Sequence, residues 1–144
     1  MQLTDVLEHA NRLGPWAHLA TTSADGAPHV VPVHPCWEGE TLWAMVDEGS
    51  KKVRNLAQND RVCVHYQVSE ETGFDSLVLW GTATVHADPD TKRRLWEGVF
   101  DYDLNTFAPG GPDDSPGTAF MAVHPSRALY LKNFGMEGRE VWEG

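Results

Sequence analysis

The chain has 144 residues, 41% of them hydrophobic and 22% charged, a balance that suits one folded domain spanning residues 1–144 and excludes disordered and fibrous classes. Its formal net charge of −10 argues against a nucleic-acid backbone as partner, because neutralising phosphates takes clustered Lys and Arg. No stretch approaches the roughly 18 apolar residues of a membrane helix, and Met1 to Leu13 carries Asp5 and Glu8 without the basic start and apolar run of an export signal. The expectation is a cytoplasmic protein with no membrane partner.

Leu3, Val6, Leu7, Ala10 and Leu13 recur at helical spacing until Gly14-Pro15 breaks the pattern, which predicts an opening amphipathic helix. Trp16 to Thr22, the turn sequence Ala24-Asp25-Gly26-Ala27 and His29 to Trp37 read as a β-hairpin. Pro32 and Pro35 cannot donate ladder hydrogen bonds, so the second strand is expected at an edge, bulged, or facing a ligand. Glu38-Gly39-Glu40 turns into a third strand, Thr41 to Val46. A short helix follows over Lys51 to Gln58, with Val53, Leu56 and Ala57 on one face, and a fourth strand over Arg61 to Val68.

After the polar turn Ser69 to Gly73, Leu77 to His86 alternates as a long fifth strand. Asp88-Pro89 starts a helix whose buried face is Leu95, Trp96, Val99 and Phe100 and which should end near Tyr102. Pro109 to Gly117 reads as a long surface loop, and Thr118 to Val123 with Arg127 to Leu131 as a last strand bent near Pro125. The tail from Phe134 to Trp142 has no regular period; it is either mobile or brings Trp142 over a ligand. Many strands with few, short helices indicate a mainly β (α+β) fold, an antiparallel barrel or sheet, and not alternating βαβ units.

Chemistry concentrates in Gly49-Ser50-Lys51-Lys52-Val53-Arg54-Asn55-Leu56. Three cations near the start of a helix oppose its macrodipole, an arrangement that makes sense where an anion sits among free helix N–H groups, the Ser50 hydroxyl and the lysine ammonium groups. The same residues also read as solvated cations behind an ordinary Ser50 N-cap. Cys36 and Cys63 lie in apolar runs without metal or redox spacing and read as buried core thiols. None of the seven histidines forms a helical ligand pair, so no metal is expected from spacing. No nucleophile elbow and no evident general acid or base stand out.

The segment Leu42 to Val62, an aromatic-led strand passing through a turn into Ser50-Lys51-Lys52 and a helix that closes at Asn59-Asp60, resembles the flavin-binding split β-barrel family related to pyridoxine 5′-phosphate oxidase. Asp60 stands where the family usually has proline. Leu19-Ala20-Thr21, Asp25-Gly26-Ala27-Pro28, Trp80-Gly81-Thr82-Ala83, and Leu95-Trp96 ahead of the Pro109 to Asp114 loop extend the likeness, the last toward the general stress protein 26 branch. The resemblance implies a six-stranded antiparallel split β-barrel with a few short helices, working as a homodimer with cofactors at the subunit interface. By position, Ser50, Lys51 and Lys52 would hold the cofactor phosphate, Val46 and Asp47 would lie along the ring or ribityl chain, and His29, Val31 and Val33 would pass beneath it.

Trp80, with His34, Trp43 and Tyr66, is a candidate for lining the site. Val30-Val31-Pro32-Val33 lacks the arginine that the oxidase itself carries on this strand, so that oxidase activity is not expected, nor is the longer C-terminal segment that the oxidase uses for its substrate. The resemblance implies a flavin-type oxidoreductase that transfers a hydride between FMN, or alternatively the deazaflavin coenzyme F-420, and a small-molecule substrate. The other reading is a non-catalytic or stress-response module that stores or senses FMN, deazaflavin or haem.

Overall fold

A computed structural model describes residues 1–144. The elements run α1 (Leu3–Leu13), β1 (Ala17–Thr22), β2 (Pro28–Val33), β3 (Cys36–Glu38), β4 (Thr41–Asp47), α2 (Lys51–Gln58), β5 (Arg61–Tyr66), β6 (Ser76–His86), α3 (Pro89–Gly98), β7 (Thr118–Lys132) and β8 (Gly138–Glu143). No helix is long and apolar enough to cross a membrane.

All strands belong to one antiparallel sheet ordered β2-β1-β5-β6-β7-β4-β3, with β8 also on β7. The sheet has eight strands, not the six expected. One extra strand arises because His29 to Trp37 is not continuous. His34-Pro35 breaks it, leaving β2 on β1 and sending β3 across to β4. Since β2 and β3 stand at opposite ends of the strand order yet only two residues join them, the ends of the sheet must come together, and the sheet curls into a barrel. The second extra strand is the tail. Beyond Val123, β4 no longer covers β7, and β8 takes up the exposed edge from Arg127 to Lys132. Trp142 there pairs with Ala128 and packs against the main core.

The bend expected near Pro125 is a β-bulge. Trp80 opposes Arg127 and Gly81 opposes Pro125, leaving Ser126 as the extra residue. A Cβ on Gly81 would lie 2.2 Å from the His124 carbonyl oxygen, so only glycine permits this close approach.

The main core lies inside the curled sheet, where Leu19, Leu42, Val64, Leu77, Leu79 and Met121 are almost wholly buried. Val6, Ala10 and Leu13 bring α1 onto it. A second, smaller core forms around Trp43, Leu95, Leu104, Phe120 and Ala122, holding α3 to the outer face of β4 and β7. The helix stops at Gly98 rather than near Tyr102, because glycine is a poor helix former and the next residues turn back toward β2, where Tyr102 stacks on His34. The buried Asn55 amide donates to the Thr21 hydroxyl at 3.0 Å and fixes α2 against β1.

Candidate functional site

The turn into α2 is built by Asp47. Its carbonyl accepts from the Ser50 N–H at 3.0 Å and from the Ser50 hydroxyl at 2.6 Å, while its carboxylate accepts from the Gly49 N–H at 2.8 Å. Ser50 therefore holds the N-cap backbone position without a side-chain cap, and there is no acidic residue in the first helical turn. The leading N–H groups of α2 lack intrahelical acceptors, as at any helix start, and the macrodipole adds positive potential there.

A cavity of 560 Å³ opens beside this turn, within the size range of small-molecule sites. The ends of β2 (Pro32, Val33 and then His34) and β4 (Met45, Val46, Asp47) form its walls, and Lys52 on α2 supplies its cation. Trp16, Tyr102 and Phe107 give it aromatic surface, and Pro116, Gly117 and Thr118 close it from the loop before β7. That loop is tied to the α2 turn by the Glu48 N–H, which donates to the Gly117 carbonyl at 2.8 Å. The Tyr102 phenol is pushed up to about 12, by burial first and then by the nearby Cys36 and Asp101, so it stays an O–H donor, directed at the His34 carbonyl at 3.4 Å.

Of the residues singled out from the sequence, Val33, Val46, Asp47 and Lys52 share this cavity wall. Ser50 adjoins it with its hydroxyl committed to Asp47. Lys51 is exposed and lies on the side of the β1–β2 turn. The Asp25 carboxyl there is held below its ordinary range, by the Ser23 hydroxyl first and to the smallest extent by the Lys51 charge. Val31 packs against the main core. His29 pairs with Thr21 on β1, its Nδ1 shielded from solvent and without a hydrogen-bond partner. Trp80 sits on β6 under the Arg127 guanidinium, 5.0 Å from the ring centre. Among the other candidates, His34 borders the cavity, whereas Trp43 is in the second core and Tyr66 is buried with its hydroxyl accepting from the Trp37 indole at 3.2 Å.

The sequence reading missed Tyr102, Phe107 and Pro116 to Thr118. They span the end of the helix reading, the Pro- and Gly-rich loop and the start of the last strand, and they reach the site through tertiary contacts. It also missed a polar cluster beside the cavity. The Cys36 thiol, buried as expected, donates to an Asp101 carboxylate oxygen at 3.4 Å, and that oxygen is 3.0 Å from His34 Nε2. Burial pushes the Cys36 thiol up to about 11.

The residues present suit a phosphate-bearing ligand on two counts: Lys52 on the cavity wall in the first turn of a helix, and aromatic surface from Trp16, Tyr102 and Phe107 in the same cavity. An antiparallel split barrel carrying such a cavity is the class of protein that the fold and site define. The chain belongs to the pyridoxamine 5′-phosphate oxidase family, which it matches over residues 12–132. No curated protein is recognisably similar in sequence.

Among solved structures, the chain is similar to a general stress protein 26-related protein of the pyridoxinephosphate oxidase family from Clostridium acetobutylicum, with a TM-score of 0.78 and 18% identity over 99% of this chain and 96% of that one. It is also similar to a pyridoxamine 5′-phosphate oxidase-related, FMN-binding protein from Nostoc punctiforme (TM-score 0.66, 15% identity, 99% and 94% covered). A third likeness is to an F-420 reductase (TM-score 0.60, 24% identity, 78% and 87% covered).

Proposed function

We propose that the protein binds a flavin-type cofactor by its phosphate at the start of α2 and acts as an oxidoreductase, with FMN ahead of the deazaflavin coenzyme F-420. One observation carries this reading: Lys52, in the first turn of α2, faces the same cavity as Val33, Val46 and Asp47. The FMN-binding and F-420 reductase neighbours support the choice of cofactors. Bound there, the ring would supply hydride transfer to a small organic acceptor.

The chain's own residues would do the rest. Lys52 and the α2 N–H groups would hold and neutralise the phosphate, Val33 and Val46 would shield one side of the ligand from water, and Tyr102, protonated at neutral pH with its hydroxyl directed at the His34 carbonyl, would offer its ring. The Asp47 carboxylate repels a phosphate, and its bond from the Gly49 N–H disperses part of that charge. In this proposal the working unit is a homodimer, and the large exposed rings of Trp16 (54% accessible) and Phe107 (68%) at the cavity favour cover by a second copy.

Absorbance and fluorescence titrations of the purified protein with FMN and with F-420 test the reading. Saturable binding of one of them fixes the cofactor class, and turnover of an electron acceptor with the reduced cofactor establishes the activity. Tight binding without turnover would leave a cofactor-storing or sensing module, and binding of neither would overturn the flavin reading. Sedimentation analysis with and without cofactor reads the dimer directly.

A further inference from the structure

We infer that His34, Cys36 and Asp101 form a three-ligand site for a divalent transition metal of the zinc type. The three donors come from two places far apart in sequence. His34 lies in the junction between β2 and β3 and Cys36 opens β3, with Pro35 between them. Asp101 arrives from the turn after α3. All three ligand atoms lie within 4.8 Å of one another.

The two separations that Asp101 makes are close to those of a tetrahedral site. With metal–ligand bonds of about 2.0 Å to nitrogen or oxygen and about 2.3 Å to sulfur, neighbouring ligand atoms sit about 3.3–3.5 Å apart. The observed Asp101 Oδ1 to His34 Nε2 distance is 3.0 Å and its distance to Cys36 Sγ is 3.4 Å. A rotation of the Asp101 side chain, 70% accessible, is enough to open the shorter contact.

The alignment points the same way. His34 Nε2 is shielded from solvent and makes no hydrogen bond, although the carboxylate oxygen is only 3.0 Å away. In a metal site each donor aims at the shared centre, and the unpartnered, misaligned His34 Nε2 fits that geometry, while the Cys36 thiol still donates to Asp101 in the absence of metal. An imidazole, a thiolate and a carboxylate are a donor set that suits zinc. Pro35 between the first two restricts the backbone and lowers the entropic cost of holding them together.

Binding needs no redox partner: Cys36 coordinates as thiolate, its proton passes to solvent, and the three protein ligands leave at least one position for water or a small exogenous donor. Sequence spacing gave no hint of the site, because H-x-C supplies only two ligands and the third is brought by the fold.

The test uses the full-length reduced protein, Zn²⁺ titrated calorimetrically, and Co²⁺ as an optical probe of thiolate coordination. One equivalent of either metal is expected to bind, with a near-ultraviolet thiolate-to-cobalt charge-transfer band. Cys36→Ser should abolish the band and Cys63→Ser should keep it. Asp101→Asn, a change to an exposed side chain whose retained fold is checked by circular dichroism, should weaken Zn²⁺ by at least about tenfold, since even indirect partners of a metal site are worth about 10–100-fold. No saturable binding, a band that survives Cys36→Ser, or unchanged affinity in Asp101→Asn would overturn the assignment. The Asp101→Asn measurement decides the matter if Cys36→Ser fails to fold.

Discussion

Replacing Lys52 and Lys51 one at a time by alanine separates a phosphate site from a merely basic surface. Lys52 is half-buried on the cavity wall at the helix start, whereas its neighbour Lys51 is exposed. A charge-assisted contact in a partly desolvated site contributes about 1.5–3 kcal/mol, so Lys52→Ala should weaken FMN binding roughly 10- to 150-fold. A solvated cation contributes about 0–1 kcal/mol, so Lys51→Ala should cost no more than about fivefold, and this small loss should vanish at high salt. Fluorescence-quenching titrations at low and high NaCl read both effects. Lys52→Arg, which keeps the charge, should retain most of the affinity. Equal losses at the two lysines, or full affinity in Lys52→Ala, would refute a phosphate held by this helix start.

Gly81→Ala should destabilise the fold by about 1–3 kcal/mol or more, because the new methyl meets the backbone of His124 and Pro125, which cannot move aside; urea unfolding measures it, and wild-type stability in the variant would sink the bulge argument. Asp75→Asn should cost about 1–3 kcal/mol at neutral pH. Burial raises the Asp75 carboxyl, but bonds from the Tyr130 hydroxyl, the Asn133 N–H and Arg12 together bring it below 3.8. Its contribution is therefore present above the unfolded value and lost as pH falls through the lower folded one, so the two proteins should converge in strong acid.

His65 is shifted down from 6.5, by burial first and then by His18 across the β1–β5 pair. The unfolded chain accordingly takes up this proton before the folded one, and stability should decline as pH drops below about 6.5. Denaturant midpoints for His65→Gln should show a shallower decline, and an unchanged pH profile would remove His65 as its cause.

The amino-acid sequence by itself determined the local elements, because their signals are local. The 3.6-residue period of Val6, Ala10 and Leu13 placed α1, Asp88-Pro89 started α3 with the Asp88 carboxylate accepting from the Thr91 N–H, and Asn59-Asp60 closed α2. It also marked Ser50 to Arg54 as chemically unusual, since cations at a helix start oppose its dipole whatever the fold.

Only the tertiary structure decided how many strands there are and what surrounds the ligand cavity. His34-Pro35 reads locally as part of one strand, and its role as the closure of the barrel depends on β2 and β3 having different partners. The Gly138–Glu143 tail has no buried alternation and becomes a strand because β7 leaves backbone groups unpaired there. Lys52 and Lys51 are adjacent in sequence, and the helix's rotation against β1, pinned by the buried Asn55–Thr21 bond, gives one to the cavity and the other to solvent. The meeting of His34 and Cys36 with Asp101 is likewise a long-range contact, and its donors were invisible as a set until the chain had folded.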